Sequence, residues 1–217
     1  MNSCDQSAEP SKNASAPARL AATLRQNLRP AFIGLISLTV LTGFGFQLVL
    51  LVLGSALFPG QVAGSLVTHN GVVVGSQLIG QNFARPEYFH PRPSAAGAGY
   101  DATSSGGTNL GPSNPKLIEA VRQSALDYRQ QNGLAPNAAV PIDAVTSSGS
   151  GLDPHISPEN AALQAPRVAR ARGLPEDVVR RLIAEHTQGR QLAFMGAPRV
   201  SVLDLNLALD AAGGHDR

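Results

Sequence analysis

Near its N-terminus the chain has a long apolar segment without a single charged residue. Residues 31–58 read AFIGLISLTVLTGFGFQLVLLVLGSALF and contain no Asp, Glu, Lys or Arg. About 20 apolar residues suffice for a helix to cross the hydrocarbon core of a bilayer. A buried helix of a soluble protein seldom runs this far without a charged residue. The segment therefore predicts a transmembrane helix.

A cleaved signal peptide is the competing interpretation of the same segment. The apolar core of a signal peptide is only about 7–15 residues long, and it is followed by a cleavage site of the A-x-A type. Residues 31–58 are longer than that, and no such site follows them directly. An uncleaved membrane anchor is therefore the favoured prediction.

The placement of charge predicts which way the anchor points. Four basic residues precede it, and the next basic residue, Arg85, lies far beyond it. Basic residues are retained on the cytoplasmic side, so the N-terminus is predicted to be cytoplasmic. We accordingly expect residues 1–30 to form a cytoplasmic tail, disordered over residues 1–18, and residues 59–217 to form one extracytoplasmic domain, which in a bacterium is periplasmic.

The charge balance and the cysteine content limit what the outer domain can be. The formal net charge is +2, and beyond residue 59 the 13 basic and 13 acidic side chains balance. Nucleic-acid binding needs clustered Lys and Arg, so we expect no nucleic-acid partner. The single cysteine, Cys4, precedes the anchor, so the outer domain is predicted to have no disulfide.

Local patterns predict an α+β fold for the outer domain. Two β-prone stretches flank Asn70-Gly71, a dipeptide typical of tight hairpin turns. Residues 84–112 are rich in Pro, Gly, Ser and Asn, and their aromatic side chains favour an ordered, packed loop. The segment RVSVLDLNLALD fits a strand or a short helix, and a helix capped by Ser201 is favoured.

Three helices are predicted between these segments. The first begins at Asn114 and ends near Gly133. The second begins at Ser157, contains Pro166, where we expect a kink or break, and ends at Gly173. The third runs from Pro175 to about Thr187. The buried stripe predicted for the first helix consists of Leu117, Ile118, Val121 and Leu126.

Three residues of the span could bind another helix. Gln47 is a polar amide near mid-depth, and Thr39 with Gly43 forms a small-xxx-small pair that permits close approach. The alternative interpretation is that Gln47 reaches water through local thinning of the bilayer and that the small residues have no partner. The sequence leaves both interpretations open.

Two segments rich in glycine and serine invite a catalytic interpretation. They are the first Gly-Ser segment, residues 103–115, and the second Gly-Ser segment, residues 146–155. Neither matches the G-x-S-x-G hydrolase turn or the phosphate-binding loop that requires a Lys. Turn formation is the expected role of these residues. A metal or Asp-His-Ser site is disfavoured because its candidates lack regular spacing, namely Asp101, Asp143, Asp153, His90 and His155.

Several long motifs, taken in order, resemble the C subunit of the Kdp potassium-transporting P-type ATPase of bacteria. They span the outer domain and follow the anchor as in that family. Two small departures are Thr108 and Ser201, where the family usually has Ser and Asn. The motifs are GSQLIGQNF at 75–83, YFHPRPS at 88–94, SSGGTNLGPSNP at 104–115, SGSGLDPHISP at 148–158, QAPRVARARGL at 164–174 and GAPRVSVLDLNLALD at 196–210.

The resemblance implies an accessory subunit of a high-affinity, ATP-driven potassium import complex in the bacterial cytoplasmic membrane. Its implied partners are a channel-like potassium-translocating subunit, an ATP-hydrolysing P-type subunit and a small helical peptide, in addition to membrane lipid. The chain itself would have no catalytic centre, metal or cofactor, because ATP, Mg and K belong to the complex.

The family is also described as raising the ATP affinity of the hydrolysing subunit, with SSGGTN compared to a nucleotide-sensing loop. The resemblance thus implies a nucleotide-coupling or partner role for Ser105, Gly106, Gly107 and Asn109. A second candidate loop contains Ser148, Ser150, Asp153 and His155. Because the predicted orientation puts these loops outside the cytoplasm, we expect any coupling to ATP to be indirect, through the span.

Two other classes of function remain as alternatives. One is a membrane-tethered periplasmic hydrolase that uses Ser150 or His155, which would show turnover by the outer domain alone. The other is a stand-alone extracytoplasmic domain that binds a small ligand or cation, which would show saturable binding without a partner. The balanced charge and the unmatched catalytic motifs favour the accessory subunit over both.

Overall fold

A computed structural model describes residues 16–213 of the chain, and the side chains of residues 23–213. The fold is α+β, as predicted, and the chain divides between Val62 and Ala63 into two compact units. The predicted disorder of residues 1–18 falls mainly on residues 1–15, which lie outside the described residues.

The N-terminal unit contains one long apolar helix. Helix α1 (Ala16–Thr39) continues through a π-helical turn (Val40–Gly45) into α2 (Phe46–Leu57), and the short α3 (Pro59–Val62) follows. The stretch Thr23–Leu57 is long and apolar enough to cross a membrane. The helix starts before the apolar segment because residues 16–29 are mostly Ala, Leu and Arg, which favour helix, and Pro30 is accommodated inside it.

The second unit begins with the predicted hairpin. Strands β1 (Leu66–His69) and β2 (Val72–Ser76) pair antiparallel, with an irregularity between Val67 and Thr68. Asn70 and Gly71 have φ angles of 50° and 77°, as the tight two-residue turn requires. The hairpin prediction is confirmed.

Helix α4 (Pro115–Asn132) is bounded by the predicted caps. The Asn114 side chain accepts a hydrogen bond from the Lys116 N–H, and Gly133 ends the helix in the left-handed conformation. The predicted buried stripe is wrong at two positions, because Ile118 and Leu126 are exposed. The buried face is rotated toward Val121, Ala125 and Tyr128, which pack on residues 140–145.

Helices α5 (Pro158–Arg172) and α6 (Glu176–Glu185) pack against each other. Ser157 caps α5 by accepting from the Asn160 N–H, and Gly173 ends it, as predicted. Pro166 does not break α5, which continues for six residues beyond it. Packing of the residues around Pro166, including the fully buried Ala165 and Val168, holds the helix together there.

A small antiparallel sheet completes the unit. It consists of β3 (His155–Ile156), β4 (Thr187–Gln188) and β5 (Arg199–Ser201), in the order β3-β5-β4. Helix α7 (Val202–Gly213) follows β5 directly, and the Ser201 hydroxyl accepts from the Asp204 N–H at 3.4 Å. The segment predicted as strand or helix is therefore both, and the predicted cap is confirmed.

The main core lies between this sheet and helices α5, α6 and α7. It contains Ile156 and Val200 from the sheet, Val168 from α5, Val179 from α6, and Leu205 from α7. Phe89 joins this core from a segment without regular structure, since the chain forms neither helix nor strand from Gln77 to Asn114. The prediction of an ordered, packed loop over residues 84–112 is thus confirmed.

Candidate functional site

The two Gly-Ser segments, which are more than 30 residues apart in sequence, meet in the structure. The backbone N–H of Gly106 and the hydroxyl of Ser105 both donate to the Ser150 carbonyl oxygen, at 2.9 and 3.0 Å. A Cβ atom placed on Gly107 would lie 3.1 Å from the Gly149 carbonyl oxygen. Glycine at position 107 therefore allows the two backbones to approach closely.

Gly151 lies at the tightest point of this crossing. Its φ angle is +69°, and a Cβ atom there would lie 2.6 Å from the Gly106 carbonyl oxygen and 2.7 Å from the Ala96 nitrogen. The Ser94 hydroxyl donates to the Gly151 carbonyl oxygen at 2.6 Å. Three separate segments are thus joined at Gly151, where only glycine fits without strain.

An ion pair between Arg92 and Asp153 fixes the second Gly-Ser segment next to the place where the two segments meet. Arg92 donates to one Asp153 carboxylate oxygen at 2.9 Å, and the backbone N–H of His155 donates to the other at 3.0 Å. The His155 ring nitrogen Nδ1 lies 3.3 Å from that second oxygen. Burial raises the pKa of Asp153, but the hydrogen bonds from His155 and Arg92 outweigh it and lower the pKa below its usual range.

Tyr100, which belongs to the irregular loop, makes hydrogen bonds to Arg92 and Ser94. Its hydroxyl donates to the Arg92 carbonyl oxygen, and its backbone N–H donates to the Ser94 hydroxyl at 2.8 Å. Burial raises the pKa of Tyr100, so the phenol stays protonated as a hydrogen-bond donor. Arg92 and Ser94 both belong to the YFHPRPS motif, which is therefore the support for the two Gly-Ser segments.

The residues predicted for the two loops separate into two groups. Ser105, Gly106, Gly107, Ser150 and Asp153 lie where the loops join. Asn109, Ser148 and His155 lie at the margin of that junction. Among these, Asn109 is exposed with a φ angle of 53°, the Ser148 hydroxyl is 3.4 Å from that of Ser150, and His155 contacts Asp153.

The hydrolase alternative requires a base within hydrogen-bond reach of the Ser150 hydroxyl. The Ser150 hydroxyl accepts from the Leu152 N–H at 3.1 Å and neighbours Ser148, whereas the His155 ring nitrogen faces Asp153. Among the hydrogen bonds of residues 23–213, none joins the Ser150 hydroxyl to His155. A serine nucleophile needs such a base within hydrogen-bond reach. Those same residues contain no group of three or more His, Cys, Asp or Glu that could hold a metal.

The sequence did not predict the residues that hold the irregular loop in place. The buried Asn206 amide accepts from the Phe89 N–H at 2.8 Å and donates to its carbonyl oxygen at 3.0 Å. Gln164 does the same for His90, at 2.7 and 3.1 Å. The two amides replace the backbone partners that a strand would supply. A signal was present, since both interrupt the apolar face of a predicted helix.

Arginines of α5 bind the same loop through its carbonyl groups. Arg167 donates to the carbonyl oxygens of Pro86 and Tyr88, and to the Gln164 side chain at 2.7 Å. Burial lowers the pKa of Arg167 to about 10, which leaves it charged at neutral pH. Arg172 donates to the Glu87 carbonyl oxygen and pairs with Asp210 at 2.7 Å. The charged groups of these arginines therefore donate hydrogen bonds within the domain.

A cavity of about 350 Å³ adjoins the loop, between it and α4. Its lining includes His90, Arg92, Tyr100, Tyr128 and Gln164. Burial and the nearby Arg167 charge lower the pKa of His90, so its ring is neutral at neutral pH. The volume is at the lower end of the range for small-molecule sites.

The three candidate residues of the span lie around the π-helical turn. Thr39 is the last residue of α1, Gly43 is inside the turn, and Gln47 is the second residue of α2. All three are exposed, and no atom lies within 4 Å of a Cβ placed on Gly43. Such turns occur frequently at functional sites. The helix surface at Gly43 is open to another helix.

Comparison with known proteins gives a consistent result over nearly the whole chain. Residues 28–211 match the family model described as KdpC, the K⁺-transporting ATPase c chain. The matched range includes the apolar helix from its N-terminal half onward, the hairpin, both Gly-Ser segments and most of α7.

Individual proteins that are similar to this chain have the same description as the family model. The potassium-transporting ATPase KdpC subunit of Beijerinckia indica is 54% identical over 186 residues, which cover 86% of this chain and 94% of that one. The KdpC subunit of Caulobacter vibrioides is 55% identical over 186 residues, covering 85% and 93%. That of Mycobacterium tuberculosis is 51% identical over 187 residues, covering 86% and 99%.

Proposed function

The chain belongs to the KdpC family of K⁺-transporting ATPase c chains, and from that membership we propose that it is an accessory subunit of an ATP-driven potassium import complex. The observation that carries the proposal is the extent of the similarity. It covers the apolar helix and the α+β unit together, over residues 28–211. It also includes the residues that join the two Gly-Ser segments.

We propose that the apolar helix anchors the chain in the cytoplasmic membrane, with residues 1–30 in the cytoplasm and residues 59–217 in the periplasm. The basic residues before the helix and the uncharged stretch after it support this orientation. Cys4 is the only cysteine, so its labelling by a membrane-impermeant thiol reagent reports on the N-terminal side.

The orientation is tested in intact spheroplasts with two chains. The wild-type Cys4 is expected to react only after the membrane is permeabilised. A Cys4→Ser chain that also carries Asn137→Cys, at an exposed position of the second unit, is expected to react at once. The reverse pattern would establish the opposite orientation.

We further propose that the span packs on the channel-like potassium-translocating subunit through Thr39, Gly43 and Gln47. An amide in the hydrocarbon core is stabilised by a hydrogen-bonding partner, and open space at Gly43 admits a neighbouring helix. Gln47→Leu should lower recovery of the complex, whereas Gln61→Leu, a matched change just beyond the span, should not. Equal recovery of both variants would contradict this packing.

The joined Gly-Ser segments are proposed to act as a rigid element that contacts a partner, with any effect on ATP affinity transmitted indirectly. Neither segment contains a Lys or Arg with which to neutralise phosphate charge. ATP and Mg²⁺ are then bound by the ATP-hydrolysing subunit, and potassium by the translocating subunit. Saturable ATP binding by the chain purified alone would contradict this assignment.

A further inference from the structure

The hairpin that follows the apolar helix has exposed apolar side chains on both faces. Val72 and Val73 are adjacent in β2 and therefore point to opposite faces. They are 65% and 54% exposed, and Leu66 in β1, which shares a face with Val73, is 56% exposed. Each face of the hairpin therefore carries an apolar side chain that the described part of the chain leaves largely uncovered.

The contacts that hold the hairpin lie at its base, away from the turn. The Ser76 hydroxyl donates to the Gly64 carbonyl oxygen at 2.7 Å, a backbone bond joins Gln77 to Ser65, and the Gln81 side chain lies against Gly75. Among the described strands, β1 and β2 pair only with each other. A two-stranded hairpin is marginally stable in water unless it packs on something else. A partner that covers its valines would supply the missing contacts.

The position of the hairpin in the chain limits what that partner can be. Leu66 is nine residues beyond Leu57, the last residue of α2, so the intervening chain spans at most about 30 Å. Residues 31–84 contain no Asp, Glu, Lys or Arg. Segments that bind lipid headgroups use Lys, Arg, Trp or Tyr, and residues 59–84 contain none of these. An uncharged protein surface fits this composition better than a lipid surface.

We propose that the hairpin, residues 66–76, docks with both faces into an uncharged apolar groove on the outer surface of the integral membrane subunit that lies beside the span. The inference rests on the proposed function, since it names a surface by which the chain joins its complex. It adds a second contact to the one proposed for Thr39, Gly43 and Gln47.

The test uses a photo-reactive amino acid at position 72 or 73 of the full-length chain, expressed with its genomic partners. Leu126, an exposed apolar residue of α4, is the control position. We expect light to join both hairpin positions to an integral membrane protein, with the control position giving no such product. A product at only one hairpin position, lipid adducts alone, a second copy of this chain, or no product would overturn the proposal.

The same samples separate this proposal from the proposed function. Potassium-dependent ATP hydrolysis is measured on material purified through the unmodified chain. If that activity is recovered while positions 72 and 73 give no product, the docking proposal alone fails. If the activity is absent, the proposed function fails, and a product with any integral membrane protein still supports docking.

A pair of substitutions tests the energetic role of the contact. The double variant Val72→Thr, Val73→Thr keeps β-branched side chains but adds two hydroxyls, which would be buried without partners in an apolar groove. We expect recovery of the membrane partner to fall by about tenfold or more. Leu126→Thr should leave recovery unchanged, and the melting temperature of the chain should be the same in both variants. Undiminished recovery of the double variant would contradict docking.

Discussion

Gly151 lies where the two Gly-Ser segments approach each other most closely. Its left-handed backbone and the backbone atoms within 3 Å of its absent Cβ leave no room for a side chain. Gly149, two residues away, has no atom within 4 Å of its Cβ position and no positive φ angle. The two glycines therefore form a matched pair for testing the crossing.

Gly151→Ala is expected to destabilise the chain by about 1–3 kcal/mol, since a left-handed non-glycine residue is strained and the Gly106 carbonyl must move. Such a loss lowers the melting temperature by about 2–4 °C per kcal/mol for a domain of this size. Thermal unfolding of the detergent-solubilised chain measures it. Gly149→Ala should change the melting temperature little, and an equal effect of both variants would show that the crossing is not the cause.

His90 makes stability depend on pH. Burial and Arg167 lower its pKa in the folded chain below the ordinary value of 6.5, so below that value the unfolded chain binds a proton that the folded chain resists. Stability should therefore fall as the pH decreases from about 7 to 5. Asp101 and Asp153, whose pKa values are also lowered, lose their contribution only as the pH falls below the ordinary carboxyl value of 3.8.

The pH prediction is tested with His90→Gln, which keeps a donor near the Arg85 carbonyl oxygen that the His90 ring contacts at 3.1 Å. Melting temperatures are compared at pH 7 and pH 5. The wild-type chain is expected to lose more stability than the variant over this interval. Identical losses would assign the pH dependence to other groups.

At the scale of elements, local sequence signals were sufficient wherever structure is local. Asn70-Gly71 predicted the hairpin turn, and Asn114, Gly133, Ser157 and Gly173 predicted helix ends. The turn or cap that each of them forms involves only atoms within four positions of it. The physical rule that predicts it therefore needs no knowledge of the fold.

Long-range contacts were the part that the sequence could not predict. The Gly-Ser segments meet because Ser150 accepts from Ser105 and Gly106, 45 and 44 positions away, and Asn206 holds Phe89 from 117 positions away. Helix periodicity also placed Ile118 and Leu126 in the core because it cannot tell which side of an apolar stripe faces a neighbour. Such pairings depend on how the elements pack together.

At Pro166, packing outweighs the tendency of proline to end a helix. A proline inside a helix has no N–H to donate, so the carbonyl group four residues earlier, that of Ala162, loses its helical partner. Helix α5 nevertheless continues to Arg172, held by the buried residues on either side. The cost of the missing hydrogen bond is thus outweighed by burial.

Pro166→Ala is accordingly expected to stabilise the chain, by up to about 3 kcal/mol, because it restores a helical hydrogen bond without removing a buried side chain. Pro158→Ala is the control, since Pro158 occupies the first turn of α5, where proline is well tolerated. Thermal unfolding should show a higher melting temperature only for Pro166→Ala. A decrease would mean that the proline ring itself packs favourably.

At the scale of the whole molecule, an apolar helix and an α+β unit are joined by a short uncharged connection. The α+β unit is held by internal hydrogen bonds among its loops, and its arginines Arg92, Arg167 and Arg172 are committed to contacts within it. Exposed apolar residues remain on the hairpin and along the apolar helix. A protein built in this way is suited to bind partners in and beside a membrane.

Membership of a potassium-import complex is tested most directly by purifying the tagged chain in mild detergent from cells that express its genomic partners. Mass spectrometry identifies the co-purifying proteins, and potassium-dependent ATP hydrolysis is assayed on the same sample. We expect recovery of a P-type ATPase and a channel-like membrane subunit, with hydrolysis stimulated by potassium. Recovery of the chain alone, although the partners are present in the membrane, would contradict that membership.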